Sequence, residues 1–506
     1  MDATPEIPIP HIDPALYAWQ PHPTSRLYLR RALGLETKWA RREVKNRQLF
    51  LSGIVTLKAP LNSVYELYAA VTHTWVRLRF EFPEVVLKFG GDWVDGNAIM
   101  QCQIPRSDEE ASDWVRRTLW LGGNIIEADS RLSAERQMRK HDINDPFCLQ
   151  LIPTISQDAD SDKILGSAFS FRVDHQLADG MGVYILAGNF FRILAEEVTT
   201  KESEQIDWEK AAKNIPKPWV QMMNEKQKTE GEDFENKVKK NADLIVESVK
   251  GEWGLTIRPG EEYTPKSIRR IFSIKQTKAI LRSVKSEIGR AATVTHLGHA
   301  AMAMTLLSIK PAKDRPLTCD KFVCPLFMSG RRYLDPEQPK SKNYVPMCRA
   351  IGAIEFRNVD RYRLLETDGR DEVRRKLKMA CEEARRSYQV IRERESILTE
   401  SFTVAEYMGT ATNVIKGKGT IDPLFLSDGI IEQYISRSYA DIRGNNTLTV
   451  DDVRFTANPD GPPIIIRMYT FRDVIRIGAE WNGAWYDDAD VQRFLDSITD
   501  LMLSLT

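Results

Sequence analysis

Residues 164–196 read as a strand running directly into a helix, a pairing that confines the chain to folds in which helices pack on sheets. From Ile164 to Val173 the residues alternate. Phe169, Phe171 and Val173 fall on one face, and Ser170, Arg172 and Asp174 on the other. From Gly180 to Glu196 the apolar load passes to Met181, Ile185, Phe190, Ile193 and Leu194, the pattern of an amphipathic helix. Between the two lies His175-Gln-Leu-Ala-Asp179-Gly180. If the strand continues one residue, His175 falls on the apolar face where the strand ends, and Gly180 allows a tight turn into the helix. A partly desolvated imidazole whose tautomer is set by a neighbour is what a general base near neutral pH requires. On these residues alone, a hydrogen-bonded, half-buried histidine in a tight turn is the plainer reading.

The same alternation of strands and helices runs through the chain. Leu49–Leu57 has strand composition, and Asn62 is the N-cap candidate for a helix whose face is Val64, Leu67, Val71, Trp75 and Leu78, stopped by Pro83. Thr293–Leu307 reads as a closely packed helix, Lys321–Met328 as a buried strand, Asp371–Ile391 as a long charged helix and Ile464–Ile477 as β. A helix from Asp487 to Leu503, capped by Asp487 or Asp488, closes the chain. At 506 residues the chain is too long for one core. Two α/β sandwich domains are therefore expected. The stretch Thr199–Lys250, rich in Lys, Glu, Asp and Asn, reads as a solvated helical linker, which divides the chain into 1–215, 216–255 and 256–506.

Composition excludes several classes of function. Lys plus Arg equals Asp plus Glu at 71 each, so no net positive field points to nucleic acid or an anionic membrane. No apolar run approaches the roughly 18 residues of a membrane span, and the start, MDATPEIPIPHIDPALYAWQ, lacks the basic and apolar regions of a secretory signal. The six cysteines (102, 148, 319, 324, 348 and 381) form no CxxC pair, as expected of reduced thiols in a cytoplasmic protein.

A histidine four residues before an acidic residue is a spacing that chance supplies, and the chain has two: His141/Asp145 and His175/Asp179. His141 lies in the polar stretch RKHDINDPF, which reads as a turn with a solvated ring. His296 and His299 share a helix at a spacing that could ligate metal, but with no HExxH pattern and no acidic third ligand they read as helix packing, and no metal is expected. Gly180-Met-Gly182 lacks the third glycine of a dinucleotide loop. Gly417-Lys418-Gly419-Thr420 is a basic loop tip rather than a Walker A sequence, and no GxSxG element exists.

The segment Asp174-His175-Gln176-Leu177-Ala178-Asp179-Gly180 closely resembles the HHxxxDG motif of the chloramphenicol acetyltransferase-like superfamily, with Asp174 in place of the first histidine. That superfamily includes peptide-synthetase condensation domains, plant BAHD acyltransferases and fungal trichothecene O-acetyltransferases. Further similar segments follow in order: Trp75–Arg79 with Pro83, Ser329-Gly-Arg-Arg-Tyr333, Phe425–Ile431, and Trp481–Tyr486 with Asp490–Phe494. The DFGWG motif of the plant enzymes is absent. Ser427-Asp428-Gly429 stands nearest to it, so the resemblance is to the fungal trichothecene 15-O type.

The resemblance implies two chloramphenicol acetyltransferase-like α/β sandwich domains with an active-site channel between them. It implies His175 as the base that takes the acceptor hydroxyl proton, and Asp179 with Gly180 as supports of its loop. Acyl-CoA, most simply acetyl-CoA, is the implied co-substrate, a small hydrophobic alcohol such as a sesquiterpenoid the partner, and no cofactor is held tightly. Ser427 is the candidate oxyanion donor by position only; an ordinary turn serine is the plainer reading. A carrier-protein thioester acting in trans, or a silent member that only binds a ligand, are the alternatives. A monomer is expected.

Overall fold

The computed structural model describes residues 12–94, 96–122, 130–141, 144–156, 163–200, 205–248, 253–258, 263–309, 321–410, 420–459 and 461–506. Met1–His11, Cys319 and the loop tip Gly417–Gly419 lie outside the described residues. The fold is a mixed α/β arrangement of several sheets, two of which position the channel described below.

The first sheet has six strands, in the order Ser438–Ala440, Asn446–Ala457, Gln48–Leu61, Ile164–Asp174, Phe147–Ile155 and Leu119–Leu121. Its centre is antiparallel. Leu51 stands opposite Phe171 and Val173 opposite Leu49, so the large apolar residues share one face. Onto that face pack the helices Val64–Glu81 and Gly180–Glu197. Trp75 is fully buried there, stacked 4.9 Å from Phe147 and 5.4 Å from Trp114. The opposite face, which alternation marks as polar, is also buried, under the helix Ser130–Lys140. Its polar groups pair with one another: Ser52 Oγ meets Ser170 Oγ at 2.9 Å, and Arg47 Nε donates to Asp174 Oδ2 at 3.0 Å.

The second sheet runs Pro265–Ile271, Val474–Asn482, Ile465–Phe471 and Leu424–Ile430, the last pair parallel. Beside it, Lys321–Ser329 and Arg349–Arg357 form an antiparallel pair. The helices Val294–Ile309, Arg370–Arg392 and Asp488–Ser504 share the core of this half. The strands Ser438–Ala440 and Asn446–Ala457 come from the second half of the chain yet belong to the first sheet, a crossing that a cut at 216–255 does not contain.

Several local expectations are corrected. The first long helix is capped by Ser63, whose hydroxyl accepts the N–H of Glu66 at 3.2 Å. Asn62 stands one residue earlier and donates its own N–H to the Glu66 carboxylate at 2.9 Å, so the capping pair is shifted by one. The charged stretch expected as a solvated linker contains the helix Glu232–Ser248, with Phe234, Val238, Ala242 and Ile245 buried. Those four recur at helical spacing on a face that bulk composition hides. Asp487 is the N-cap residue of the closing helix Asp488–Ser504, as expected, but caps it without a side-chain hydrogen bond; its carboxylate pairs with Arg258.

Candidate active site

A channel of about 940 Å³ runs between the two halves and is lined by residues of both, including Trp39, His175, Met181, Arg349, Ser427 and Tyr434. A concave, largely apolar cleft between domains is where small-molecule sites commonly lie. The histidine strand ends at Asp174, and His175 follows directly with only 7% of its surface exposed. Its N–H donates to Arg47 O at 2.7 Å, and the indole of Trp39 stacks on its ring at 4.3 Å. Trp39 sits on the short helix Gly34–Ala40, which is anchored by the buried Arg30–Glu36 pair (2.7 Å) and by Glu36 accepting the N–H of Leu33 at 2.8 Å.

The imidazole is oriented by its own loop. His175 Nδ1 lies 2.8 Å from Ala178 O, so Nδ1 carries the proton and donates, which leaves Nε2 as the bare nitrogen. Arg349 Nη2 stands 3.2 Å from that Nε2. Burial, and after it the charge of Arg349, push the imidazole down to about 3, so it is neutral across the physiological range.

Asp179 is turned to a different task. One carboxylate oxygen accepts the N–H of Gly182 at 2.9 Å, which makes Asp179 the N-cap of the helix Gly180–Glu197. The carboxylate also takes Arg331 Nη1 at 2.9 Å and the N–H of Cys348 at 3.0 Å. Burial would raise this acid, but Arg331 and the two backbone donors hold it below the usual carboxylate range. Arg331 also donates to the carbonyls of Tyr344, Val345 and Pro346, so the motif loop of the first half is bolted to the second half.

The tight approach expected at Gly180 lies two residues on. Gly180 has no positive φ, and a Cβ there would meet only Phe455 at 3.8 Å. At Gly182 a Cβ would lie 2.1 Å from Val345 O, so Gly182 lets the helix start against the second half. Asp174 is held by Arg47 and by the N–H of Gln176 at 3.0 Å; burial nevertheless raises its carboxyl to about 6. Ser427 lines the channel with its hydroxyl 2.8 Å from that of Thr295. It sits at a β-bulge between Ser427 and Gly429, where Gly429 takes φ 77°. The neighbouring Asp428 accepts from Tyr184 Oη (2.8 Å) and Arg467 (3.1 Å), a buried link between the motif helix and the second sheet.

The other candidates are packed into the structure. His141 stacks on Trp120 at 4.4 Å with Nε2 3.3 Å from Gln150. His296 accepts the N–H of Thr293, and His299 lies 3.3 Å from Tyr388 Oη. Among the described residues no group of three or more His, Cys, Asp or Glu side chains is gathered as a metal site, and no helix is long and apolar enough to cross a membrane. Sequence reasoning missed Trp39, Arg47, Gly182 and Arg349 as parts of the site. The short helix and the lone arginines carry no periodicity or motif that could have singled them out.

The model of the 15-O-acetyltransferase Tri3 family matches residues 9–408. Trichothecene 15-O-acetyltransferase TRI3 of Fusarium sporotrichioides is 27% identical, covering 100% of this chain and 99% of its own length. Trichothecene O-acetyltransferase TRI3 of Trichoderma arundinaceum is 24% identical, with 98% of each chain covered. The solved structure of the Fusarium enzyme superposes with a TM-score of 0.86 at 26% identity, over 98% of this chain and 99% of that one. The condensation domain of the Monacolin K polyketide synthase MokA shares the fold at a TM-score of 0.58 and 11% identity, over 95% and 98%. This two-lobe chain therefore belongs to the 15-O-acetyltransferase Tri3 family and is an acyltransferase.

Proposed function

We propose that the chain transfers an acetyl group from acetyl-CoA to a hydroxyl of a trichothecene-type sesquiterpenoid, with His175 as general base. The observation that carries this reading is the imidazole's orientation: His175 lines the channel between the lobes, and with Nδ1 committed to Ala178 O the nitrogen left to accept a proton is Nε2. Transfer is direct. The acceptor oxygen attacks the thioester carbonyl carbon while His175 Nε2 takes its proton, and the carbonyl π pair moves onto oxygen. As the oxyanion collapses the C–S bond breaks, and the thiolate receives the proton from Nε2.

Asp179 supports the base without touching it, as cap of the motif helix and partner of Arg331. Ser427, held by Thr295 and lining the same channel, is a hydroxyl available to the oxyanion. Nothing in the reading calls for a bound metal or a tightly held cofactor, and the chain acts as a monomer. The test is release of free thiol from acetyl-CoA with a panel of hydroxylated trichothecenes, beside His175→Ala. Saturable, His175-dependent acetylation of one hydroxyl supports the reading. Binding of the alcohol without turnover overturns it in favour of a silent family member.

A further inference from the structure

The guanidinium of Arg349 is oddly placed for a structural arginine. It stands 3.2 Å from Nε2, the nitrogen of His175 left to accept a proton, and its Cζ lies 4.8 Å over the ring of Phe327. Among the described residues it has no other hydrogen bond and no carboxylate within ion-pair distance. The neighbouring acids are already engaged, Asp179 by Arg331 and Asp428 by Arg467. A half-buried cation of this kind normally finds a partner, because leaving it without one is costly. Arg349 lines the channel, and its remaining N–H donors have no partner among the described residues.

The position is also fixed with care. Arg349 opens the strand Arg349–Arg357 opposite Ser329, and the residue before it, Cys348, donates its N–H to Asp179 at 3.0 Å. The carboxylate that holds the histidine loop thus holds the backbone next to Arg349 as well. A cation on the lone pair of a base also opposes its protonation, and Nε2 can take a proton only from an atom that replaces Nη2 there. The acceptor oxygen must therefore occupy the place of the guanidinium, which leaves that cation beside the carbon under attack.

We propose that Arg349 is a catalytic residue of this acyl transfer: the acceptor hydroxyl displaces it from His175 Nε2, and its N–H donors then bind the oxyanion of the tetrahedral intermediate. This rests on His175 as the base. The bonds made and broken are unchanged. The hydroxyl proton passes to Nε2 and on to the departing thiolate, while the negative charge on the former carbonyl oxygen is met by the guanidinium, which transfers no proton. A charged donor aimed at developing charge in a partly dry site is among the larger single contributions to catalysis.

The test compares Arg349→Met, Arg349→Lys and His175→Ala in the full chain by steady-state kinetics across pH 5–8. For Arg349→Met the expected result is a kcat lower on the order of 10²-fold with KM changed only a few-fold. Arg349→Lys should recover part of that loss. The groups facing His175 are Arg349, the indole of Trp39 and the engaged carboxylates of Asp179 and Asp174. Removing the one cation at Nε2 raises the affinity of His175 for a proton, so an acid limb in kcat/KM should move up into the measured range. That shift reports the contact of the cation with Nε2; the loss in kcat is what separates an oxyanion donor from an arginine that only covers the base. An Arg349→Met enzyme with unchanged or higher kcat, or with a loss confined to KM, overturns the proposal and leaves Arg349 a plug over the base. If Arg349→Met does not fold, the same criteria apply to Arg349→Leu, which likewise removes the charge and the donors. Transfer retained by His175→Ala would instead sink the base assignment.

Discussion

His141 and His175 each stand four residues before an aspartate, and each ring lies flat on a tryptophan, at 4.4 Å from Trp120 and 4.3 Å from Trp39. Their aspartates separate them. Asp145 pairs with Arg117, whose side chain is 58% exposed, inside the first lobe. Asp179 pairs with Arg331, 9% exposed, from the other half of the chain. The rings differ accordingly: His141 turns Nε2 to Gln150, whereas His175, which lines the channel, commits Nδ1 to its own loop and leaves Nε2 to Arg349. One spacing yields a ring packed inside the first lobe in one place and the imidazole proposed as the base in the other. What differs is whether a second lobe covers the loop.

The largest expected effect breaks this comparison at the ring. His175→Ala should lower turnover by roughly 10²–10⁴-fold, and His141→Ala should leave it near the original rate; equal losses in a thiol-release assay would remove the distinction. Next comes the carboxylate. Asp179→Ala leaves Arg331 buried without its counter-charge, a change of about 3–5 kcal/mol in denaturant melts that also abolishes activity. Asp145→Asn removes an exposed pair and should fall within about 1 kcal/mol. The two glycines sharpen the picture further. Gly182→Ala drives a methyl against Val345 O and should destabilise by about 1–3 kcal/mol, while Gly180→Ala, with room and a helical φ, should be neutral or stabilising by up to about 1 kcal/mol.

The last effect is in pH. The folded protein holds His175 down at about 3, whereas the unfolded chain protonates it near 6.5. Its stability contribution is therefore complete above about 6.5 and is lost as pH falls towards about 3. Between pH 7 and pH 5 wild type should lose about 2 kcal/mol more than His175→Ala. Thermal melts at the two pH values check this, and parallel losses would show that the histidine is not desolvated as described.

Much of the first lobe was legible in its residues. The Phe169–Phe171–Val173 alternation and the Met181-to-Leu194 helix stand as read, because local periodicity reports one face of each element. Helix was expected within Thr199–Lys250, but the buried face of Glu232–Ser248 was missed because four apolar residues among many charges leave composition polar while the face they form is not. Ser63 displaced Asn62 as cap by a single residue, at the scale where alternative side-chain to backbone bonds differ little. Resemblance marked Arg331, through its loop, as a second-half element; its bond to Asp179 is geometry that only the fold supplies.

By itself the sequence determined the α/β class, the strand that delivers His175, the helix behind Asp179 and the family that the motif resembles. These are local or ordered along the chain, so period, spacing and segment order carry them. Only tertiary structure decided which of two identical spacings lines the channel, that Gly182 rather than Gly180 needs to be a glycine, and that Trp39 and Arg349 flank His175. It also decided that Asn446–Ala457 crosses into the first sheet. Each of these depends on backbones far apart in sequence coming within a few ångströms. Such contacts form only when whole lobes bury their apolar faces together, and they leave no period in the chain to be read.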